Sequence, residues 1–268
     1  MSHRSLGNKR VLLTGASSGI GKALAEELAS QGARLALVAR NREKIAELAQ
    51  DLIKKGCEVI PIQADLTIAA DREKVIAEIT AKWGSLDLLI NNAGIAASGH
   101  FSTSNEKILR DIFEINFFAP VELIRLAIPI LSQGNDPVIV NISSMCGRKG
   151  IPAWPEYSAS KFALCGITES LRGELQRFGI EILLMIPGLT KSNLRRNMIR
   201  CDAKMEIDLD RGMEANDLAK GIIHSVLKDR SETVFGSDAR WMLRMQRWFP
   251  RLLDRLLARK VRKLYRNQ

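Results

Sequence analysis

The feature that most limits what this chain can fold into is an alternation. Short aliphatic runs take turns with longer stretches whose apolar residues recur every three or four positions. VLLT at 11–14 reads as a buried strand, and IGKALAEELASQG after it has helical spacing and a Gly stop. The pattern predicts further strands at 34–39, 58–63, 86–91, 137–143 and 180–186, with helices at 42–55, 71–83, 105–131 and 155–178 between them. The third of these helices is expected to break near Pro120. Helix 214–228 and a short strand at 232–235 follow. Parallel strands need helical crossovers, so the expected architecture is α/β: a doubly wound parallel sheet of about seven strands with helices on both faces. From Pro187 to about Gly212 no periodicity is visible, and so long a connection reads as a lid or binding loop.

At 268 residues and 46% hydrophobic content, the chain is long enough for one substantial core. No apolar run approaches the ~18 residues of a membrane span. The N-terminus MSHRSLGNKR lacks the apolar segment of a signal peptide, so a cytoplasmic location is expected. Cys57, Cys146, Cys165 and Cys201 show no CxxC or metal-ligand spacing, which favours reduced thiols and no metal site. The net charge of +10 is concentrated at one end: residues 239–268 hold ten Arg and Lys against the single acid Asp254, or +9, leaving +1 for the rest.

The turn after the first strand reads Thr14-Gly15-Ala16-Ser17-Ser18-Gly19-Ile20-Gly21. Glycine allows a tight turn and close backbone approach, while free N–H groups at the next helix start attract an anion such as a phosphate. The same letters match the GxSxG elbow that presents a nucleophilic serine, here Ser17. That chemistry needs a later acid and then a histidine; only His100 and His224 follow, neither in a recognisable turn, so the elbow reading is set aside. At the end of the second strand, where an acid would hold the 2′-hydroxyl of NAD, the sequence is LALVARNREK. Arg40 there suits the 2′-phosphate of NADP, so NADP(H) is expected over NAD(H), with Arg42 a solvated helix-start residue.

Tyr157 and Lys161 are spaced to share one helix face. A nearby ammonium and an oxidised nicotinamide ring are both expected to lower a phenol's pKa, making Tyr157 a usable general acid/base. Hydride arriving at a carbonyl carbon leaves charge on oxygen, which needs a proton and an oriented donor. A serine at the end of VIVNISS, Ser143 or Ser144, is placed to supply that donor.

With these residues in order the chain resembles the short-chain dehydrogenase/reductase superfamily, in its compact single-domain form. The landmarks are TGASSGIG at 14–21, Asp65 in QADL, NNAG at 91–94, Asn116 in INFFAP, NISS at 141–144, YSASK at 157–161 and PG at 187–188. They lie within residues 10 to about 235. The resemblance implies a Rossmann-like fold and the NADP-dependent interconversion of a ketone or aldehyde and an alcohol. Tyr157 would be the acid/base and Ser144 would orient the carbonyl, with Ser143 structural. Lys161 would also bond the nicotinamide ribose, and Asn116 would hold a helix kink and a proton-relaying water. Asp65 would approach the adenine, and Asn91 with Gly94 would stabilise the sheet beside the cofactor. Cofactor contacts are further implied for Thr14, Gly15, Ser17, Ser18, Gly19, Ile20, Gly21, Leu66, Asn92, Ala93, Gly94, Pro187 and Gly188. Either Thr190 or Ser192 would meet the nicotinamide amide. Cys146 reads as a small core residue in preference to a pocket wall, and Trp154 as either pocket wall or packing. A homodimer or homotetramer is also implied.

Residues 1–237 thus read as the catalytic domain and 238–268 as a basic amphipathic helical extension. In the extension Trp241, Met245, Trp248, Phe249, Leu252, Leu253, Leu256, Leu257, Val261, Leu264 and Tyr265 form an apolar stripe, with Arg and Lys opposite, and Pro250 starts a second segment. A stripe this broad is wasted on phosphates, so nucleic acid is not an expected partner. An anionic membrane surface fits, as does docking on the body or a second subunit. A membrane site biases the substrate towards a lipid, and the resemblance to membrane-bound reductases of steroids, ketolipids and retinoids implies a lipophilic ketone. A soluble 3-oxoacyl-carrier-protein reductase and a catalytically idle nucleotide sensor are the alternatives; the intact Ser144, Tyr157 and Lys161 speak against the second.

Overall fold

The computed structural model describes residues 4–191, 198–203 and 211–264. Among them the strands are β1 (Arg10–Thr14), β2 (Arg34–Ala39), β3 (Val59–Gln63), β4 (Leu88–Asn91), β5 (Ala96–Ser98), β6 (Val138–Ile142), β7 (Glu181–Pro187), β8 (Met198–Cys201) and β9 (Glu232–Phe235). The helices are α1 (Gly19–Ser30), α2 (Arg42–Lys54), α3 (Ala69–Trp83), α4 (Glu106–Phe113), α5 (Ala119–Leu131), α6 (Pro155–Glu174), α7 (Ala215–Leu227), α8 (Ser237–Trp248) and α9 (Pro250–Leu264).

Seven strands form one all-parallel sheet in the order β3-β2-β1-β4-β6-β7-β9. Both faces are covered, which is why the central strands read as unbroken apolar runs. Alternate side chains feed two cores. Val11, Leu13, Leu35 and Leu37 meet α1, α2 and α7 through residues such as Leu24, Leu48 and Ile222. Leu12, Ala36 and Val38 meet α3 and α5 through Ile79, Leu123 and Leu131. The order runs one way from β1 to β3 and the other way from β4, so the sheet opens a crevice at the carboxyl ends of β1 and β4, where ligands of such folds bind.

Two elements depart from the sequence expectation. The 105–131 helix does break, but at a π-helical turn, Glu114–Phe118, just ahead of Pro120. Pro120 itself sits in the first turn of α5, directly after that π-turn. The aperiodic 187–212 stretch is not all loop: β8 within it pairs in parallel with β5 as a separate two-stranded sheet. MIRC is too short and too mixed to announce a strand on its own. At the far end α8 and α9 follow with Phe249 between them, and Pro250 opens α9. Ala239 of α8 is fully buried in an apolar cluster with Trp154 and Tyr157, and Met242, Leu243 and Val261 pack against that cluster.

Candidate active site

The turn from β1 into α1 is built around two glycines. Gly15 has φ +66°, a left-handed conformation, and a Cβ on it would lie 2.8 Å from Ala93 Cα. A Cβ on Gly21 would lie 2.0 Å from the Gly15 carbonyl oxygen, so nothing larger than glycine lets the helix start this close to the turn. Ser18 is the N-cap of α1, but its hydroxyl makes no capping bond, and no acid occupies the first turn. The helix start therefore offers N–H groups and positive potential to an anion. A cleft of about 320 Å³ opens there, walled by Gly15, Ser17, Ser18, Gly19, Ile20 and Gly21, by Asn92, Ala93 and Gly94, and by Ala64 and Leu66. At the end of β2 and just past it the wall is Ala39, Arg40, Asn41 and Lys44. This cradle has the shape and donors for a dinucleotide.

Thr14 and Asp65 stand behind that wall. Thr14 is buried, and its hydroxyl accepts the N–H groups of Asn92 at 2.9 Å and Ala93 at 3.1 Å, fixing the NNAG turn. The Asp65 carboxylate accepts from the N–H and hydroxyl of Thr67. Asn91 donates to Asn141 at 2.9 Å, and Asn141 donates to Thr168 at 2.9 Å, a buried polar ladder joining β4, β6 and α6. Arg42 is exposed at the start of α2. Lys44 escaped sequence reasoning, although a third cation after Arg40 and Arg42, in the first turn of α2, was a visible signal.

Next to this cleft lies an apolar cavity of about 120 Å³, lined by Ser144, Tyr157 and Lys161 together with Ile142, Met145, Cys146, Trp154 and the segment Pro187, Gly188, Leu189 and Thr190. Its floor is the carboxyl edge of β6 and β7, and its side is the first turn of α6, begun by Pro155. Tyr157 and Lys161 are both buried. The Lys161 ammonium donates to the Ile142 carbonyl at 3.0 Å and lies 5.9 Å from the centre of the Tyr157 ring. Ser144 Oγ accepts from the Cys146 N–H at 3.2 Å, whereas the Ser143 hydroxyl contacts the Lys161 carbonyl and the Cys165 thiol. Trp154 meets the Tyr157 ring edge-on, centroids 5.7 Å apart, and walls the cavity, as does buried Cys146. Thr190 is buried at the rim; Ser192 lies outside the described residues.

Asn116 occupies the π-turn. Its amide oxygen accepts from Ile95 N–H at 2.9 Å and its amide nitrogen donates to the Ile95 carbonyl at 2.9 Å and Ser160 Oγ at 3.0 Å. The extra residue in that turn swings the side chain off the helix line so that it staples α6 to the NNAG loop.

The electrostatics correct one expectation. Burial raises the Tyr157 phenol above its ordinary value, proximity to Cys146 adds to the rise, and a hydrogen bond with Ser144 only partly opposes them. Burial likewise pulls the Lys161 ammonium down to about 8, against the opposing influence of the Cys165 and Cys146 thiols. Desolvation thus outweighs the neighbouring cation in the protein alone. Burial also lifts the Cys146 thiol to about 11, so it is no ready nucleophile.

Residues 9–201 match the family model described as short chain dehydrogenase. The chain is 30% identical over 267 residues to Dehydrogenase/reductase SDR family member 7B of Danio rerio, covering 96% of this chain and 86% of that one. A short chain dehydrogenase/reductase from Burkholderia phymatum, solved in complex with NAD, superposes with a TM-score of 0.83 at 25% identity, over 94% of this chain and 96% of the other. A short-chain dehydrogenase from Sphingobium yanoikuyae in complex with NADPH gives 0.76 at 30% identity, over 87% and 91%. On the family match, the seven-stranded parallel sheet and these likenesses, the chain belongs to the short-chain dehydrogenase/reductase family of oxidoreductases.

Proposed function

We propose that this protein is an NADPH-dependent reductase that interconverts a lipophilic ketone or aldehyde and its alcohol. The observation that carries the reading is the convergence of Ser144, Tyr157 and Lys161 on one apolar cavity beside the glycine cradle. Gly15, Ser17–Gly21, Arg40 and Lys44 would hold the reduced dinucleotide, which would supply a hydride to the carbonyl carbon. Ser144 orients the carbonyl oxygen, and Tyr157 gives it the proton that balances the hydride. The Lys161 ammonium stabilises the phenolate left behind, so the group that burial disfavours is relieved by the charge nearest to it. Asn116 keeps α6 and the NNAG loop in register for this transfer. For the nucleotide, Arg40 and Lys44 beside an end of β2 that lacks an acid favour the 2′-phosphate. For the substrate, Met145, Cys146, Trp154 and Leu189 present a wall suited to hydrocarbon.

The test is turnover of a panel of steroid, long-chain and short-chain ketones with NADPH. Tyr157→Phe should lower kcat by about 10²–10⁴ while NADPH still binds. Activity that survives the loss of this hydroxyl sinks the mechanism, and preference for the small, polar ketones sinks the substrate class.

The same proposal places the protein at an anionic membrane surface facing the cytoplasm. Among the described residues no helix is long and apolar enough to cross a membrane. The extension nevertheless exposes Trp241, Trp248, Phe249, Leu252 and Leu256 among its cations. That combination favours the boundary between anionic headgroups and acyl chains. Flotation with vesicles containing phosphatidylglycerol, and its absence with phosphatidylcholine alone, is the expected result; no flotation with either removes the membrane from the proposal.

A further inference from the structure

Asp238 stands outside the proton-transfer group, in the first turn of α8 at the head of the basic extension. Its carboxylate is wedged between two glycines: a Cβ on Gly188 would lie 2.6 Å from Oδ1, and one on Gly236 only 2.3 Å from it. Oδ2 accepts a hydrogen bond from the Leu189 N–H at 2.8 Å. Leu189 belongs to Pro187–Thr190, the segment that leaves β7 and lines the cavity beside Tyr157. Backbone bonds also tie this segment to its surroundings, Gly188 N–H to Phe235 O at 2.8 Å and Met213 N–H to Leu189 O at 2.9 Å, and the Thr190 hydroxyl donates within it to the Gly188 carbonyl at 3.2 Å. Asp238 adds a charged side chain to them, and a charge-assisted bond is stronger than its neutral counterpart. The acid also suits the positive end of α8, while Ala239 beside it is fully buried. The anchor is therefore fixed from the extension's side as well as from the cavity's.

We infer that Asp238 is a positioning residue. It holds Gly188–Thr190 over the end of the cleft that takes the nicotinamide, and it makes the geometry of that end depend on the docking of α8. The phosphate end is walled by Gly15–Gly21, Arg40 and Lys44, none of which belongs to this segment. Loss of Asp238 should therefore loosen one end of the cleft and leave the other intact. The inference rests on the dinucleotide reading above.

The experiment uses the full chain and needs no substrate. Calorimetric binding of NADPH is compared with that of 2′,5′-ADP, which lacks the nicotinamide half, in Asp238→Ala, Asp238→Asn, Gly188→Ala and the double variant G188A/D238A. Asp238→Ala should weaken NADPH by about tenfold and 2′,5′-ADP by less than about twofold, with Asp238→Asn between wild type and Ala for NADPH. Gly188→Ala, whose methyl meets the carboxylate, should reproduce the loss, and should add little once Asp238 is Ala. Retained 2′,5′-ADP binding shows that each variant is folded. Equal weakening of both ligands, unchanged NADPH affinity, or effects of the two substitutions that simply multiply would each overturn the inference. A wild type that binds no dinucleotide ends the proposed function and this inference together. One that takes NADH in place of NADPH ends only the cofactor choice, and the same comparison then runs with NADH and 5′-AMP.

Discussion

Burial acts on Tyr157 and Lys161 in opposite senses, raising one and lowering the other, and each shift favours the uncharged form of its group. The lysine has a measurable consequence for stability. Its ordinary value is 10.5 and its folded value about 8, so between them the unfolded chain holds a proton that the folded one has released. Stability from this group therefore rises with pH across that window. Cys146 works the other way: its thiol stays protonated in the fold up to about 11 against an ordinary 9.0, so its contribution is complete below pH 9 and fades above it. The melting temperature of wild type relative to Lys161→Met should accordingly rise from about pH 8 upward, and that of wild type relative to Cys146→Ala should fall from about pH 9 to 11. A difference that stays flat with pH would show that the group titrates normally. At the other end of the cleft, Arg40→Ala should weaken NADPH by about tenfold or more and leave NADH nearly unchanged, as read by titration of each nucleotide. Equal losses would mean that Arg40 does not discriminate between them. Sequence carried Tyr157, Lys161 and Ser144 clearly because their spacing and order are local. It did not carry the sense of the phenol's shift, because desolvation comes from Trp154, Cys146 and other residues that meet only in three dimensions.

Among the elements, the strands were legible for a plain reason. LALVA and its counterparts are buried on both faces and so have no polar side to interrupt the run. The break ahead of α5 was legible only approximately, since proline drew attention to 120 while the bulge is centred on Asn116, a residue whose role depends on partners in the NNAG loop and α6. Asn116→Ala would leave Ile95 N–H and C=O without their side-chain partner and remove a bond to Ser160. With buried polar groups left unpaired, a loss of about 2–4 kcal/mol is expected from urea unfolding. A loss below about 1 kcal/mol would mean that the backbone holds the π-turn without the amide. The β5–β8 pairing was illegible because neither AAS nor MIRC has periodicity of its own; each becomes a strand only against the other.

On the scale of the whole molecule, the extension proves to be two-sided. One face is committed to the body through Ala239, Val261 and the Lys149–Asp254 ion pair, while Trp241, Trp248 and Phe249 remain exposed. A single stripe read from sequence could not show this division, because a helical projection does not know where the body lies. Leu253 is 2% exposed, so Leu253→Ser should free α9. Hydrogen exchange should then show residues 250–264 unprotected while β2 stays protected; unchanged protection of α9 would mean that Leu253 is not what holds it. The small sheet has a consequence of a different kind. Ala97 pairs with Arg200, roughly a hundred residues further along, and Ala96 and Met198 of the same sheet join the cluster around Tyr157. Loop closure over that span is slow until the large sheet has gathered both ends. Folding is therefore expected to spread outward from the large sheet, with the small sheet beside Tyr157 closing last.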